Sequence, residues 1–260
     1  MRGISKDEME KGKVLYSDKD HKFIWLGWSY KKSGEFQANQ FLIVDGDEGV
    51  LLDPGGVHVF PHVITTVSRY IPLDKIKYLF YSHQDPDVSS GIGLFMNVCP
   101  NVKILISRLW LRFVPHFGFT DVNRIETIPD KGMDFNLSRT TLKIIPAHFL
   151  HSEGNFSLYD PRAKILFSGD IGASVMPDED LYFEVENFEK HTRYMEWFHR
   201  RYMKGNDVLR KWVSIVRRFE INIIAPQHGA IMSGENVKKF LNWLENLRCG
   251  GDIIDEIYGT

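Results

Sequence analysis

Histidine and aspartate residues recur in four short segments of this sequence, at or near the ends of apolar runs. The segment Tyr81–Gly93, YSHQDPDVSSGIG, carries one histidine and two aspartates at alternate positions. Alternate side chains of an extended loop project to one side, so these three groups can bind at the same site. The other segments are PAHFLHSEGNFSLYD, ILFSGDIGAS and NIIAPQHGAI. The candidate residues are His83, Asp85, Asp87, His148, His151, Asp170 and His228.

The side-chain types in these segments favour a metal site. If Asp85, Asp87 and Asp170 converge, each carboxylate pair about 4 Å apart repels by roughly 4 kcal/mol at an effective dielectric of about 20. Divalent cations between the carboxylates remove this repulsion, and neutral imidazoles complete the coordination. Any one residue is also explained as a turn aspartate or a buried histidine, since Asp85-Pro86 is a typical turn initiator. The metal interpretation depends on their recurrence at strand ends.

Ligand type narrows the choice of metal. Three carboxylates with histidines and no thiolate form an oxygen-rich set, which suits iron or manganese at least as well as zinc. Affinity alone favours zinc over both, so manganese and zinc stay as alternatives to iron.

Apolar runs rich in β-branched and aromatic residues predict the strands that carry these side chains. Many runs end in Gly, Asp or His, which places polar groups at the carboxyl ends of strands. The stretch FLIVDGDEGVLLD predicts a hairpin whose turn spans Asp45 to Gly49. The predicted strands are FIWLGW, QFLIVDG, GVLLDPG, IKYLFYSH, VKILIS, TLKIIPAH, FSLYD, KILFSGD and INIIAPQH.

The last third of the sequence changes to helical periodicity. Apolar side chains recur at helical spacing in three stretches, and Ser233 is positioned to cap the third. On this periodicity Tyr194 and Tyr202 are predicted to be core aromatic residues. No repeat, low-complexity tract or flexible linker divides the sequence. We therefore predict one α/β domain over residues 1–260, with strands leading into a site and helices covering the outside.

Composition limits the classes of partner. The 260 residues carry a formal net charge of −2 at pH 7, so no global field attracts nucleic acid or an anionic membrane. Cys99 and Cys249 form no Cys-x-x-Cys pair, which argues against a disulfide framework. The N-terminus has no apolar signal-peptide core, and no segment approaches the roughly 18 apolar residues of a membrane span. These features predict a cytoplasmic protein.

The first ligand-bearing segment resembles the metallo-β-lactamase superfamily, and within it the flavodiiron proteins. Hydrolases of the superfamily carry His-x-His-x-Asp-His, whereas flavodiiron proteins carry His-x-Glu-x-Asp-His. A carboxylate at the second ligand position is the flavodiiron feature, here shortened by one methylene group. This sequence reads His83-Gln84-Asp85-Pro86-Asp87-Val88.

Further segments extend the resemblance over roughly residues 20–247. LHSEGNFSLY, KILFSGD and INIIAPQHGAI are similar to the remaining ligand segments, NQFLIVDGDEGVLLDPG to the opening hairpin, and RYMEWFHRRY to the helix that lines the flavodiiron site. The resemblance implies a metallo-β-lactamase αββα sandwich. It also implies roles for individual residues: His83, Asp85 and His151 on the first metal, Asp170 bridging, Asp87 and His228 on the second, and Asp53 and His148 behind the ligands. A core residue or a substitute ligand is the alternative role for His148.

Two departures from the flavodiiron pattern bear on function. Val88 occupies the sixth ligand position, so the second metal is expected to have an open coordination position that takes water, O2 or a peroxo group. The sequence carries no flavodoxin-like unit after residue 247 and no rubredoxin-type cysteines, so no flavin is expected in this chain. This pattern resembles the stand-alone oxygen-binding di-iron proteins of the superfamily.

The resemblance implies a non-haem di-iron protein that holds O2 as a peroxo-type adduct for oxygen sensing and signalling. Such a protein needs a signalling partner, and it fits oxygen binding better than fast catalysis, which would be that of an oxidoreductase. One alternative is an O2 or NO reductase fed by a separate redox partner, a flavoprotein. Another is a metal-dependent hydrolase, although Asp85 and Val88 both depart from the hydrolase pattern. A metal-free degenerate member is the last alternative, and whether the protein forms a homodimer is left open.

Overall fold

Two β-sheets packed face to face form the centre of the protein. The structure is a computed structural model that describes residues 4–28, 37–119 and 121–260. Within these residues the first sheet has seven strands that lie side by side in chain order: β1 (Lys13–Ser17), β2 (His21–Trp25), β3 (Phe41–Asp45), β4 (Glu48–Leu52), β5 (Ile76–Phe80), β6 (Lys103–Ser107) and β7 (Ile125–Ile128). The second sheet is formed by β8 (Met133–Leu137), β9 (Thr140–Pro146), β10 (Phe156–Asp160), β11 (Ile165–Gly169), β12 (Ile223–Pro226) and β13 (Met232–Ser233). Across this second sheet the strands run in the order β13-β12-β11-β10-β9-β8.

Helices cover the outer face of each sheet. The α-helices are α1 (Lys6–Lys11), α2 (Phe60–Val67), α3 (Pro86–Ser89), α4 (Ile92–Val98), α5 (Phe188–Tyr202), α6 (Asn206–Val216), α7 (Glu235–Asn246) and α8 (Ile254–Tyr258). Short 3₁₀ helices span Leu73–Lys75, Arg108–Phe117, Val122–Arg124, Asp178–Asp180 and Gly250–Ile253. Across the described residues, no helix has both the length and the apolar character that a membrane span requires.

Three apolar clusters stack through the thickness of the molecule. The middle cluster lies between the sheets and includes the fully buried Trp25, Phe41 and Phe167. On one side, α2 and α4 pack on the first sheet, and on the other α5, α6 and α7 pack on the second. The predicted fold class, an αββα sandwich, is confirmed.

The carboxyl ends of several strands lie together at one edge of the sandwich, where the strands terminate. Neighbouring β4, β5, β6 and β7 are parallel, as are β11 and β12. The two sheets approach each other at this edge, where the Ser82 carbonyl accepts a hydrogen bond from the Phe156 amide at 3.0 Å. Gly169 has φ +60°, and a Cβ there would lie 3.1 Å from Ser82 Oγ. Glycine is therefore needed for both the turn and the close contact.

The opposite edge is joined by a buried histidine. Nδ1 of His21 lies 3.0 Å from Oδ1 of Asp45 at the end of β3, and Nε2 lies 2.7 Å from Oδ2 of Asp160 at the end of β10. All three side chains are fully buried. Burial opposes protonation, but the Asp160 and Asp45 carboxylates raise the pKa of His21 above its usual value. Arg162 adds a cation 3.0 Å from Asp45 and pairs with both carboxylate oxygens of Asp18 at 2.7 Å.

The structure corrects one prediction about a helix end. Ser233 lies in β13 and its hydroxyl donates to Glu184, so it does not cap α7. The residue before α7 is Gly234, which has no side chain that could accept from the first turn. The predicted hairpin is confirmed, since β3 and β4 are antiparallel and Asp45 pairs with Glu48.

Candidate metal centre

The loop after β5 presents the first three candidate residues at the edge where the sheets meet. His83 is buried, whereas the side chains of Asp85 and Asp87 are about one-third exposed. Asp85 precedes α3, whose first residue is Pro86, and its carbonyl accepts from the amides of Val88 and Ser89. The helical turn holds Asp85 and Asp87 on one short, stiff segment.

His151 is carried by the loop between β9 and β10. Phe149, two residues earlier, has φ +66°, which is uncommon for a bulky side chain and marks a constrained backbone. The peptide bond between Leu150 and His151 is cis. Ser152 Oγ donates to Oε1 of Gln84 at 2.7 Å, so this loop is tied to the one that carries His83.

Asp170 lies at the centre of the candidate site. Its Oδ2 atom is 2.8 Å from Nε2 of His151 and 3.6 Å from Nε2 of His83. Its Oδ1 atom is 3.5 Å from Nε2 of His228. One buried carboxylate thus faces imidazoles on both of its oxygens, which is the arrangement of a bridging ligand.

The remaining aspartates divide between the two sides of Asp170. Oδ2 of Asp85 is 3.7 Å from Nε2 of His83 and 3.4 Å from Nε2 of His151. Oδ2 of Asp87 is 3.2 Å from Nε2 of His228. The structure therefore brings together all six residues that the sequence nominated as ligands, in two groups that share Asp170.

The orientation of the imidazoles fits a metal site. Nδ1 of His83 lies 2.8 Å from Ser82 Oγ, and Nδ1 of His228 lies 2.6 Å from the carbonyl oxygen of Gln37. Such contacts leave Nε2 directed toward the carboxylates, as in histidines that bind metals through Nε2. Oδ1 of Asp170 is buried without a hydrogen-bond partner among the described residues. A cation between the two groups would satisfy that oxygen.

The charges of the site residues also favour a bound cation. Burial opposes ionisation, but the imidazoles of His83, His151 and His228 hold the pKa of Asp170 well below its usual range. Burial is likewise outweighed at His151, where Asp170 and Asp85 raise the pKa to about 10. Asp87 and Asp170 hold the pKa of His228 above its usual value in the same way. Protons on the imidazoles thus supply positive charge that a metal would replace, so metal binding is expected to release protons.

Asp53 contacts the ligands indirectly. Its carboxylate accepts from the Ser82 amide at 2.7 Å and from Ser82 Oγ at 2.5 Å. Since the hydroxyl donates to Asp53, its oxygen accepts from Nδ1 of His83. Complete burial raises the pKa of Asp53 to about 8 despite these hydrogen bonds. Asp53 is therefore linked to His83 through Ser82.

His148 and Val88 lie apart from the group. Nε2 of His148 lies 2.6 Å from the carbonyl oxygen of Asp130, and its ring packs edge-on against Phe156. Neither ring nitrogen contacts any of the six residues within the described part of the chain. Val88 is fully buried in the apolar cluster between the first sheet and its helices.

Several residues at the site were not identified from the sequence. Gln227 Nε2 donates to Oδ2 of Asp87 at 3.1 Å. Asn39 donates to the carbonyls of Pro226 and Gly229, which holds the turn that carries His228. Asn39 lies just before β3 and Gln227 just after β12. These positions could have identified both residues from the sequence, because the other polar groups of the site also lie at strand ends.

The two tyrosines of α5 differ from each other. The ring of Tyr202 lies 5.6 Å from the ring of His151 and stacks on Phe198 at 4.8 Å. Tyr202 is 48% exposed, so its prediction as a core aromatic residue was wrong. Tyr194 is half-buried, packs against the helical core and bonds Asp180 at 2.6 Å, away from the six residues.

Comparison with known proteins places the chain in a family. Residues 36–229 match the family described as ODP family beta lactamase. Two solved structures of the chemotaxis sensor ODP are each 53% identical to this chain and cover 95% of it. One, described as the peroxy diiron species, has a TM-score of 0.87 and is covered over 100% of its length; the other, the apo state from T. denticola, has a TM-score of 0.83 and is covered over 98%.

More distant proteins are also similar to this chain. The flavodiiron protein from Giardia intestinalis is 19% identical, with a TM-score of 0.75 over 86% of this chain and 57% of that chain. An uncharacterized protein of Methanocaldococcus jannaschii is 26% identical over 214 residues, which are 80% of this chain and 53% of that protein. The chain therefore spans about half the length of this curated relative. The family match shows that the chain belongs to the ODP family of beta-lactamase-fold proteins.

Proposed function

We propose that this protein binds O2 at a di-iron centre and serves in oxygen sensing. The observation that carries the proposal is the position of Asp170, whose two oxygens face separate groups of imidazoles and carboxylates. The relationship to the chemotaxis sensor ODP supports iron and O2, because a peroxy diiron species is described for that protein.

In this proposal each iron has its own protein ligands. His83, Asp85 and His151 hold the first, Asp87 and His228 hold the second, and Asp170 is shared. When bound, iron supplies the electrons that the binding of O2 requires. The chain supplies a fixed geometry, because Ser82 and the Gln37 carbonyl orient two of the imidazoles from behind.

Val88 distinguishes the second group from the first. Its side chain packs in the apolar core, at the position where the flavodiiron pattern has a histidine ligand. The second group therefore has two ligands of its own besides Asp170, whereas the first has three. We infer that this deficit provides the position for a small diatomic ligand.

Oxygen binding is tested on protein loaded with Fe(II) without oxygen. We expect about two iron ions per chain, uptake of about one O2, and a visible absorption band that persists for minutes after mixing. Immediate conversion to a featureless ferric spectrum would exclude stable oxygen binding. The Asp170→Ala variant, prepared identically, serves as the control and is expected to lack the band.

The same preparations separate the alternative functions. Rapid NADH-dependent consumption of O2 or NO with an added flavoprotein reductase would indicate a reductase instead. Zinc in protein purified without added metal, together with turnover of ester or phosphodiester substrates, would indicate a hydrolase. Manganese bound in preference to iron would contradict the di-iron proposal.

Sensing requires a protein that receives the signal. We propose that this partner and the protein meet in the cytoplasm, where the two buried free thiols, Cys99 and Cys249, would remain reduced.

A further inference from the structure

Exposed apolar side chains lie on two segments beside the metal centre. The 3₁₀ helix Arg108–Phe117 exposes Leu109 and Phe113, and the end of α5 exposes Trp197 and Tyr202. Trp197 is 62% exposed, which is unusual for a tryptophan without a partner. Clustered exposed apolar groups of this kind mark interaction surfaces.

Both segments contact the loop that carries His151. On one side the Tyr202 ring packs against the His151 ring, and the Trp197 ring lies 6.0 Å from that of Tyr202. On the other side, a Cβ at Gly154 would lie 2.5 Å from Ser107 Oγ and 2.9 Å from Trp110 Nε1. The loop is thus held between the two segments, and Trp197 is two ring contacts from a metal ligand.

The same surface carries an excess of positive charge. Four exposed cations form no ion pair within the described part of the chain: Arg108 and Arg112 on the 3₁₀ helix, Arg201 in α5, and Lys204 two residues after α5 ends. Arg112 lies over the Phe113 ring at 4.8 Å and Lys204 over the Phe149 ring at 3.7 Å. One exposed carboxylate, Glu153, lies on the loop between the segments. We call the surface formed by these four cations, Glu153 and the exposed apolar side chains of the two segments the site-side face.

We propose that the site-side face is the docking surface for an acidic protein partner. This proposal rests on the proposed sensing function, which requires a partner that responds to the state of the metal centre. Tryptophan, tyrosine and arginine are the side chains that dominate the energetics of protein interfaces, and all three occur here. The four unpaired cations select a partner of opposite charge and speed its encounter with this face.

The cations of this face would also attract an anionic membrane, but a membrane fits the face less well than a protein does. Glu153 would face the lipid headgroups and be repelled, whereas a protein surface can place a neutral or basic group opposite it. The chain as a whole has a net charge of −2, so no global field draws it to a membrane. The combination of separated cations, one carboxylate and aromatic rings therefore favours a protein.

The test measures binding of an acidic polypeptide by the full-length, iron-free protein. A glutamate–tyrosine random copolymer is titrated at low salt and followed by calorimetry. Two double variants change the face independently, Arg108→Glu with Arg112→Glu, and Trp197→Ala with Arg201→Glu. We expect each to weaken binding by about tenfold or more. Thermal unfolding and circular dichroism show whether each variant is folded, and either folded variant decides the result.

Lys22→Glu reverses one charge, as Trp197→Ala with Arg201→Glu does, and is the matched charge control for that variant, because Lys22 is exposed on β2 near the opposite edge of the sandwich. It is expected to change affinity less than about twofold. Equal affinity for all variants would overturn the proposal. So would tighter binding to phosphatidylglycerol vesicles with the same loss in the face variants, which would assign the face to a membrane. Because iron is absent from these titrations, their outcome is independent of whether the iron-loaded protein binds O2.

Discussion

Oδ2 of Asp170 lies 2.8 Å from Nε2 of His151. Although burial opposes both charges, His83, His151 and His228 lower the pKa of Asp170, and Asp170 and Asp85 raise the pKa of His151. Each group in this contact is charged because of the other and of its neighbours, despite burial. Without metal, the pair is a buried ion pair that keeps the carboxylate ionised and in position. The site residues are thus held in place by their own charges, and a metal that bound there would displace their protons.

Removal of the central charge should abolish assembly of the two-metal site. We expect Asp170→Asn to lower iron content from about two ions per chain to less than one, because an amide has no negative charge and only one oxygen, so it cannot bridge the two groups. Plasma mass spectrometry of anaerobically loaded protein measures this. His148→Gln is the control and should keep the wild-type iron content, since its ring bonds the Asp130 carbonyl instead. Two iron ions per chain in Asp170→Asn would refute the bridging role.

Ser82→Ala should weaken metal binding without removing a ligand. The variant breaks the link between Asp53 and Nδ1 of His83, so the imidazole loses its orientation. Loss of a hydrogen bond behind a metal ligand typically lowers affinity by about 10–100-fold. Competition with a chromophoric chelator measures the change. Ser214→Ala, on the exposed side of α6, should leave affinity unaltered. An unaltered affinity in Ser82→Ala itself would show that Asp53 has no positioning role.

Val88→Ala should separate stability from metal content. The side chain is fully buried, so removal of its two methyl groups should lower the free energy of unfolding by roughly 1–3 kcal/mol. Iron content should stay the same, because the side chain packs in the core and binds nothing. Urea unfolding and metal analysis test the two parts. The exposed Val57→Ala provides the comparison, with a change in unfolding free energy below about 0.5 kcal/mol. A loss of iron from Val88→Ala would contradict this assignment.

The buried His21 should make stability depend on pH. Its pKa is raised in the folded state, so its charged form stabilises the protein fully below the ordinary histidine pKa. The contribution is then lost as pH rises through the folded-state value. At pH 6 we expect His21→Gln to lower the free energy of unfolding by about 3–5 kcal/mol, because the buried Asp160 loses the imidazolium and Asp45 keeps only Arg162 as a cation.

Urea unfolding at a series of pH values checks the sign. The difference between wild type and His21→Gln should shrink as pH rises, and the subtraction removes the titration of distant groups. His116→Gln, an exposed histidine, should show no such trend. A difference that grows with pH would mean that His21 is neutral in the folded protein.

The strands found from the sequence and those missed differ in one physical respect. Runs such as IKYLFY before His83 form central strands, which are buried on both faces and therefore read as continuous apolar stretches. The four missed strands, β1, β7, β8 and β13, are the edge strands of the two sheets. Edge strands are half-exposed, as in the alternating burial of β8, and their apolar signal is weak. The central strands were therefore predictable from their apolar pattern, whereas the αββα sandwich was implied by the resemblance to the metallo-β-lactamase superfamily.

The site shows a similar limit. Its six nominated residues lie together because each follows a strand or sits in a loop at the same edge. The contact of His228 with the Gln37 carbonyl could not be foreseen, because a backbone oxygen leaves no trace in the residue type. The prediction for Tyr202 was wrong because helical periodicity shows only that residues lie on the same face of a helix. At Tyr202 that face contacts the loop that carries His151 and is partly exposed to solvent.

The close approach of the two sheets at Gly169 has a mechanical consequence. His83, Asp85 and Asp87 follow a strand of the first sheet, whereas His151, Asp170 and His228 belong to the second, so bound metal would act as a clasp between them. At the opposite edge, protonated His21 joins the two sheets through Asp45 and Asp160. Bound metal would therefore fasten the sandwich at one end, whereas the charge of His21, which depends on pH, fastens it at the other.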